Sequence, residues 1–279
     1  FSKIRPEHFI PAIEEGIRIQ LAEIDSITKN PEAPTFENTI LAYEKSGRLL
    51  ARATAILLGL VGADGTEELQ KIDEETTPML SDHQDALLLN EKLFARIKAV
   101  YDQRSSLKGE DLRLTELLYD QFVHEGALLS PQDKEELKKI NSEIAVLQTK
   151  FTNQVNAGTK AAAVLVDRVE DLDGLSKEAI ARAAEAATQA GQKGKYLLEQ
   201  ANTTRPGYIA ELNNRDLRRR VLEASLNRCS GSDSTGTHAT ITRIAELRAT
   251  KAKLLGFSSF SAWALSDQMA QRPEAVLHL

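Results

Sequence analysis

Apolar residues recur at three- and four-residue steps through the first 157 positions, the spacing of a helix with one buried face. Ile10, Ile13, Ile17, Leu21, Ile24 and Ile27 form the first such stripe, and Asn30-Pro31 ends it. Thr35 is placed to cap a second helix, whose buried face runs through Ile40, Leu41, Leu49, Leu50, Ile56 and Leu57 towards Gly62. The pair is expected to be two long antiparallel helices. Further helices are expected over about Thr66–Leu89, Glu91–Arg104, Glu110–Gly126 and Pro131–Asn156, each bounded by Gly, Pro, Asn or Ser. The start at Ser130-Pro131-Gln132-Asp133 is well formed: serine caps, proline fits the first turn, and aspartate complements the helix dipole. With no sequence repeat of fixed period, irregular packed hairpins are favoured over a solenoid.

The pattern changes over residues 158–204. Ala161–Val166 and Lys195–Gln200 are short runs flanked by glycine and charged turns, and both read as strands that pair with each other. Between them Ser176 opens an alanine-rich helix that ends at Gly191, a C-cap position. After Arg205-Pro-Gly-Tyr208 the helical pattern returns over Asn214–Asn227, breaks at the Ser- and Gly-rich loop 230–236, and resumes over Thr237–Leu255 and Ser259–Gln268. The expected fold is mainly α, an irregular antiparallel helical bundle with a small β insert. Its regions are 1–157 (helical hairpins), 158–204 (β/α insert) and 205–279 (helical).

Composition narrows the function classes. An apolar content of 42% supports a sizeable core, and a net charge of −6 argues against a general nucleic-acid binder. Cys229, the single cysteine, excludes an internal disulfide and cannot by itself build a thiolate metal site. The longest strongly apolar run, Ala53–Ala63, is far short of the roughly 20 residues of a membrane span, so no membrane partner is expected. A cytoplasmic location is expected, with the periplasm also compatible. The chain begins at Phe1 rather than Met, so any signal peptide would have preceded the residues given.

Catalytic chemistry is sparse. A zinc-peptidase helix needs two histidines at i and i+4 with a glutamate between them, yet His8, His83, His124, His238 and His278 stand about forty or more positions apart. His124-Glu125 begins such a motif, but Leu128 stands where the second histidine belongs, and the pair reads as a helix-end coincidence. There is no Gly-x-Ser-x-Gly elbow and no histidine near Cys229 in sequence. Arg248 lies in an apolar stripe with Ile241, Ile244, Ala252 and Leu255, where a structural ion pair is the favoured reading over a substrate role. Arg218, Arg219 and Arg220 point around a helix rather than to one face, and salt bridges to Glu211, Asp216 or Glu223 are expected. Phe257, Phe260 and Trp263, at three-residue steps, read as core, and the loop 231–236 lacks the lysine of a phosphate loop. No catalytic, cofactor-binding or metal-ligating residue is assigned in this chain.

Several motifs in one order carry a family resemblance. They include Ile4-Arg-Pro-Glu-His-Phe-Ile-Pro-Ala-Ile-Glu-Glu-Gly16, Asn30-Pro-Glu-Ala-Pro-Thr-Phe-Glu-Asn-Thr-Ile40 and the segment from Ile244 through Leu254-Leu-Gly-Phe257 to Trp263, Met269-Ala and Pro273-Glu274. The chain resembles the thimet-oligopeptidase-type zinc metallopeptidases, and Leu69-Gln-Lys-Ile-Asp73 and Leu89-Asn-Glu-Lys-Leu-Phe-Ala-Arg96 bring it nearer the peptidyl-dipeptidase branch than the oligopeptidase A branch. The resemblance implies the N-terminal lobe of a two-lobed peptidase that acts on short peptides. Its partner would be a C-terminal catalytic half, following Leu279, that holds the zinc through a His-Glu-x-x-His helix and a downstream glutamate. In that reading these residues wall a channel and are inactive alone. The other reading is an independent helical scaffold or peptide-binding module without catalysis.

Overall fold

The computed structural model describes residues 3–231 and 233–279. Two compact units divide it, one running up to Thr149 and resuming over Ile244–Leu279, the other spanning Lys150–Arg243. The divisions drawn from sequence pattern, at 157/158 and 204/205, mark changes of element type, whereas these units are defined by compactness.

The first unit opens with α1 (Phe9–Thr28), on which Ile13, Ile24 and Ile27 are buried, Ile10 and Ile17 are half-buried, and Leu21 is exposed. Thr35 caps as expected: its Oγ1 accepts from the Asn38 amide, and the Asn38 side chain accepts from the Thr35 amide. The continuous second helix expected from the sequence is, however, broken. A π-helical turn, Phe36–Leu41, leads into α2 (Ala42–Glu44), and α3 (Arg48–Asp64) begins only after Gly47, at φ 71°. Contacts from α1 hold the break: Glu23 Oε2 accepts from the Gly47 amide at 2.8 Å, and Gln20 donates to Ser46 Oγ at 3.2 Å. A Cβ on Gly16 would come within 2.8 Å of the Leu50 Cα, so partners of α1 fall from 50 to 47 as its own numbers rise from 16 to 23. The two helices are therefore antiparallel. The stretch Phe36–Ala63, longer than the apolar run Ala53–Ala63 read from the sequence, has the length and apolarity of a membrane span, with a hydropathy of 1.3 and 22% of it buried; it consists of these interrupted helices, of which Ile40, Leu50 and Leu57 are buried.

Capped starts continue the unit. Thr66 caps α4 (Glu67–Leu88), Asn90 caps α5 (Glu91–Asp102), and α6 (Gly109–His124) packs on α5. One core gathers Ile24, Ile40, Leu93, Phe94, Ile97 and Phe122; the other gathers Phe9, Ile13, Leu50, Leu57, Leu69 and Ile72.

The long helix α7 (Pro131–Ala161) runs five residues past its expected end and takes in Ala161, which the sequence assigns to a strand. The cause is Gly158. Read as a breaker, it is instead a packing position: a Cβ there would stand 2.3 Å from the Cys229 Sγ, so only glycine lets the helix pass. The strand begins three residues later, as β1 (Val164–Val166).

In the second unit, α8 (Lys177–Gln189) follows its Ser176 cap and ends at Gly191, whose amide reaches the Thr188 carbonyl while the Gln192 amide reaches that of Ala187. Next comes β2 (Tyr196–Leu198), antiparallel to β1, with Val164 opposite Leu198 and Val166 opposite Tyr196. Helix α9 (Arg205–Glu211), with Pro206 in its first turn, was not legible as a helix because Pro206-Gly207 reads as a turn. Asn214 then caps α10 (Arg215–Asn227). Val164, Leu172, Ala183, Leu198, Leu212 and Val221 form this unit's core. Of the three consecutive arginines, Arg219 makes the expected ion pair, with Asp216 at 2.9 Å. Arg218 instead donates to the carbonyls of Leu212 and Asn213, and Arg220 to that of Leu165. The loop 230–236 follows, of which Ser232 lies outside the described residues. The chain then forms α11 (His238–Leu254), α12 (Phe260–Leu265) and α13 (Pro273–Leu277).

Gly158→Ala is expected to destabilise the chain by about 1–3 kcal/mol, as overpacking does, although alanine is the better helix former. Cys229→Gly in the same chain should recover at least part of the loss, since it removes the clashing sulfur and relieves a φ of 60°. Urea denaturation of the three proteins checks this; a Gly158→Ala chain at least as stable as the parent would contradict it.

Candidate functional site

The side chains that assemble into a site belong to the first unit, and the end of α6 positions two of them. Gly126, at φ 101°, closes that helix: its amide donates to the Val123 carbonyl, and the Ala127 amide donates to that of Phe122. A side chain at Gly126 would also press on Leu129, Leu137 and Leu255. His124 and Glu125 are thereby fixed in the last turn.

Against them lies the chain's return. The His124 ring stacks on Trp263 at 4.7 Å between centroids and meets Phe257 edge-on, while the indole Nε1 donates to the His124 carbonyl at 3.2 Å. Lys251 pairs with Glu125 at 3.4 Å and sits 4.5 Å from the Trp263 ring centroid. Arg248 lies over Phe260 at 4.7 Å. One expectation changes here. His124-Glu125 stands at the end of α6 and serves there as a docking point, whereas the aromatic residues 257, 260 and 263 are half-buried rather than core. For Arg248 the described contact is an aromatic face in place of the carboxylate expected in an apolar stripe.

Phe260 and Trp263 line a half-open cavity of about 350 Å³, with side chains of α4, α7 and α11 on its other walls. Asp85 of α4 is buried on its wall; Oδ1 accepts from Asn141 Nδ2 of α7 at 2.7 Å, whereas Oδ2 has no hydrogen-bond partner among the described residues. Burial pushes the Asp85 carboxyl up to about 6, against the Asn141 hydrogen bond and the charges of Lys251 and Lys138, which hold it down. Arg248 Nε is likewise buried and without a hydrogen-bond partner. A second cavity, of about 730 Å³, shares Glu125 and Trp263 with the first and adds His124, Arg113 and Asp120.

These groups suit the holding of a charged ligand: two cations, two carboxylates and aromatic faces. They do not suit zinc. Among the described residues no three His, Cys, Asp or Glu side chains come together as a metal-ligand group; His83 is tied to Gln20 at 2.8 Å and His124 is stacked on Trp263. The sequence reading singled out Arg248 and Trp263 but missed Asp85, Asn141 and Lys251. For Asp85 the local pattern gave no signal: on α4 it lies on the face opposite the buried Ile72, Thr76, His83 and Leu87.

A carboxyl raised by burial gives pH-dependent stability. The folded value, about 6, exceeds the ordinary 3.8, so the folded state binds the proton more tightly. The stabilisation from protonation is full below about pH 4 and is lost as pH rises through 6. Asp85→Asn keeps the acceptor for Asn141 and removes the buried charge. It should stabilise the chain at pH 8 by on the order of 2–3 kcal/mol, with little gain at pH 4. Denaturation curves at the two pH values check it; an equal effect at both would contradict it.

Comparison with known proteins follows the same segment. Residues 208–279 match the model of peptidase family M3. The chain is 40% identical to the dipeptidyl carboxypeptidase of Escherichia coli (strain K12), over 100% of its own length and 41% of that protein. It is 39% identical to the dipeptidyl carboxypeptidase of Salmonella typhimurium, over 99% of the chain and 41% of the relative. Oligopeptidase A of Haemophilus influenzae is 28% identical over 99% of the chain and 41% of its own length. The chain thus spans about two-fifths of the length of these relatives. Residues 208–279 are thus similar to peptidase family M3, and along its whole length the chain is similar to bacterial dipeptidyl carboxypeptidases.

Proposed function

We propose that these 279 residues are the largely helical, non-catalytic portion of a zinc metallopeptidase that removes dipeptides from the carboxyl ends of short peptides. The observation that carries this reading is 40% identity to a dipeptidyl carboxypeptidase across 100% of the chain, which accounts for only 41% of that protein. In this reading the metal and the residues that activate water are supplied by sequence beyond Leu279, because the side chains described here do not fit zinc. No bond-breaking step is assigned to them. Their part is steric and electrostatic: the helices form one wall of a channel that admits short unfolded peptides and excludes folded proteins.

The exposed apolar side chains near the end of the chain fit a partner. Met269, Leu277 and Leu279 stand almost fully exposed beside the five-residue α13, a helix too short to persist without tertiary support. The catalytic portion of the same protein is the proposed cover.

The test compares the 279-residue chain with the product of the complete reading frame, each supplied with zinc and an N-terminally blocked tetrapeptide whose carboxyl end is free. The reading expects the longer protein to release the C-terminal dipeptide and to lose activity on chelation, and the 279 residues to release none. Cleavage by the 279 residues alone, or a zinc-loaded full-length protein that leaves the peptide intact, would contradict it.

A further inference from the structure

The cavity of about 350 Å³ on α4, α7, α11 and α12 is built from charged groups that are only partly satisfied. Two sit on its wall with one hydrogen-bonding atom each left over. Asp85 is 6% exposed, with one oxygen held by Asn141 and the other without a partner among the described residues; Arg248 has a buried Nε–H without a hydrogen-bond acceptor among them. A buried polar atom left unpaired costs on the order of 1–3 kcal/mol, so two on the wall of one cavity call for something that satisfies both.

The available chemistry selects the ligand. Arg248 and Lys251 face ring planes, of Phe260 and Trp263, and a cation held over a ring keeps N–H groups free to donate elsewhere. Lys251 is 8% exposed and has one carboxylate contact, Glu125 at 3.4 Å, which leaves donor capacity on its ammonium. The charges lining the cavity are Asp85 and Glu125 against Arg248 and Lys251, which balance. A phosphate or other multiply charged anion would upset that balance, and a purely apolar ligand would leave the unpaired atoms as they are. A neutral molecule with a cationic end and an anionic end meets both demands. Leu88, Ile144 and Ala145, with the two aromatic rings, give the rest of the wall an apolar character. The volume lies at the small end of the ligand-site range of roughly 300–1,000 Å³.

We propose that this cavity binds a small zwitterion with an apolar side chain, a free amino acid or a very short peptide, its ammonium on Asp85 and its carboxylate on Arg248 and Lys251. The proposal does not rest on the peptidase reading. Failure of the dipeptide-release assay leaves it standing, and its own failure leaves that reading standing.

Trp263 is the only tryptophan of the chain and lies on the cavity wall, so its fluorescence reports occupancy. The 279-residue chain is titrated with leucine, glycyl-leucine, N-acetyl-glycyl-leucine and glycyl-leucinamide. The expected result is a saturable change with leucine or glycyl-leucine, the tighter of the two identifying the source. Acetylation and amidation should each weaken binding by about tenfold or more, since each removes one charge-assisted contact. Asp85→Asn should abolish the preference for the free amine over the acetylated form while keeping the preference for the free carboxylate; Arg248→Met should do the reverse. No saturable change up to millimolar ligand, or equal binding of free and blocked forms to the parent chain, would overturn the proposal. The blocked ligands decide the matter on the parent protein even if a variant fails to fold.

Discussion

The joint between the end of α6 and the returning segment is the contact on which the described site depends. The first unit gives up its chain after Thr149 and regains it at Ile244, so residues 244–279 must be attached to helices already packed. The unit's two apolar clusters draw on residues 9–72 and 24–127, while Ile244, Leu247 and Ala252 of the returning segment are buried outside them. Beside that apolar burial, attachment rests on the stack of His124 on Trp263, the indole-to-carbonyl hydrogen bond, the Lys251–Glu125 pair and the cations over Phe260 and Trp263. Each such contact is worth about 0.5–2 kcal/mol. Together they suffice to dock a segment and to aim its cations.

That way of docking has an electrostatic consequence. Lys251 and Asp85 are both withdrawn from water, and charges in such surroundings persist only where opposite charges or hydrogen bonds offset the lost hydration. Asn141 and Glu125 meet part of the need and leave the rest to whatever fills the cavity. The raised Asp85 carboxyl and the unpaired atoms of Asp85 and Arg248 are two expressions of the same incomplete solvation. A fully packed apolar wall would make a more stable unit and would have nothing to hold.

Local structure was legible wherever the chain writes it in short-range chemistry. Thr35, Thr66, Asn90, Ser176, Asn214 and Ser259 each cap the helix that follows them. The strand pair also lies within the two segments read as strands, although both β1 and β2 are shorter than expected. What sequence could not supply was the partner of each glycine. Gly158 reads as a breaker until the sulfur of Cys229 is seen against it, and Gly47 breaks a helix whose apolar pattern runs on. The site was legible in pieces only. Arg248 and Trp263 stood out as residue types, but their meeting with Asp85 and Glu125 joins positions more than a hundred apart in sequence, which no local pattern encodes.

Hydrogen exchange across α11 and α12 tests most directly whether this joint holds the returning segment. Trp263→Ala removes the stack, the indole donor and one cation–ring contact at a single stroke. If the joint is what attaches the segment, amides of residues 247–265 should exchange faster in the variant while those of α1, α4 and α5 keep their protection. Unchanged exchange in residues 247–265, or a uniform loss of protection through α1, α4 and α5 as well, would show that the segment is held by something else.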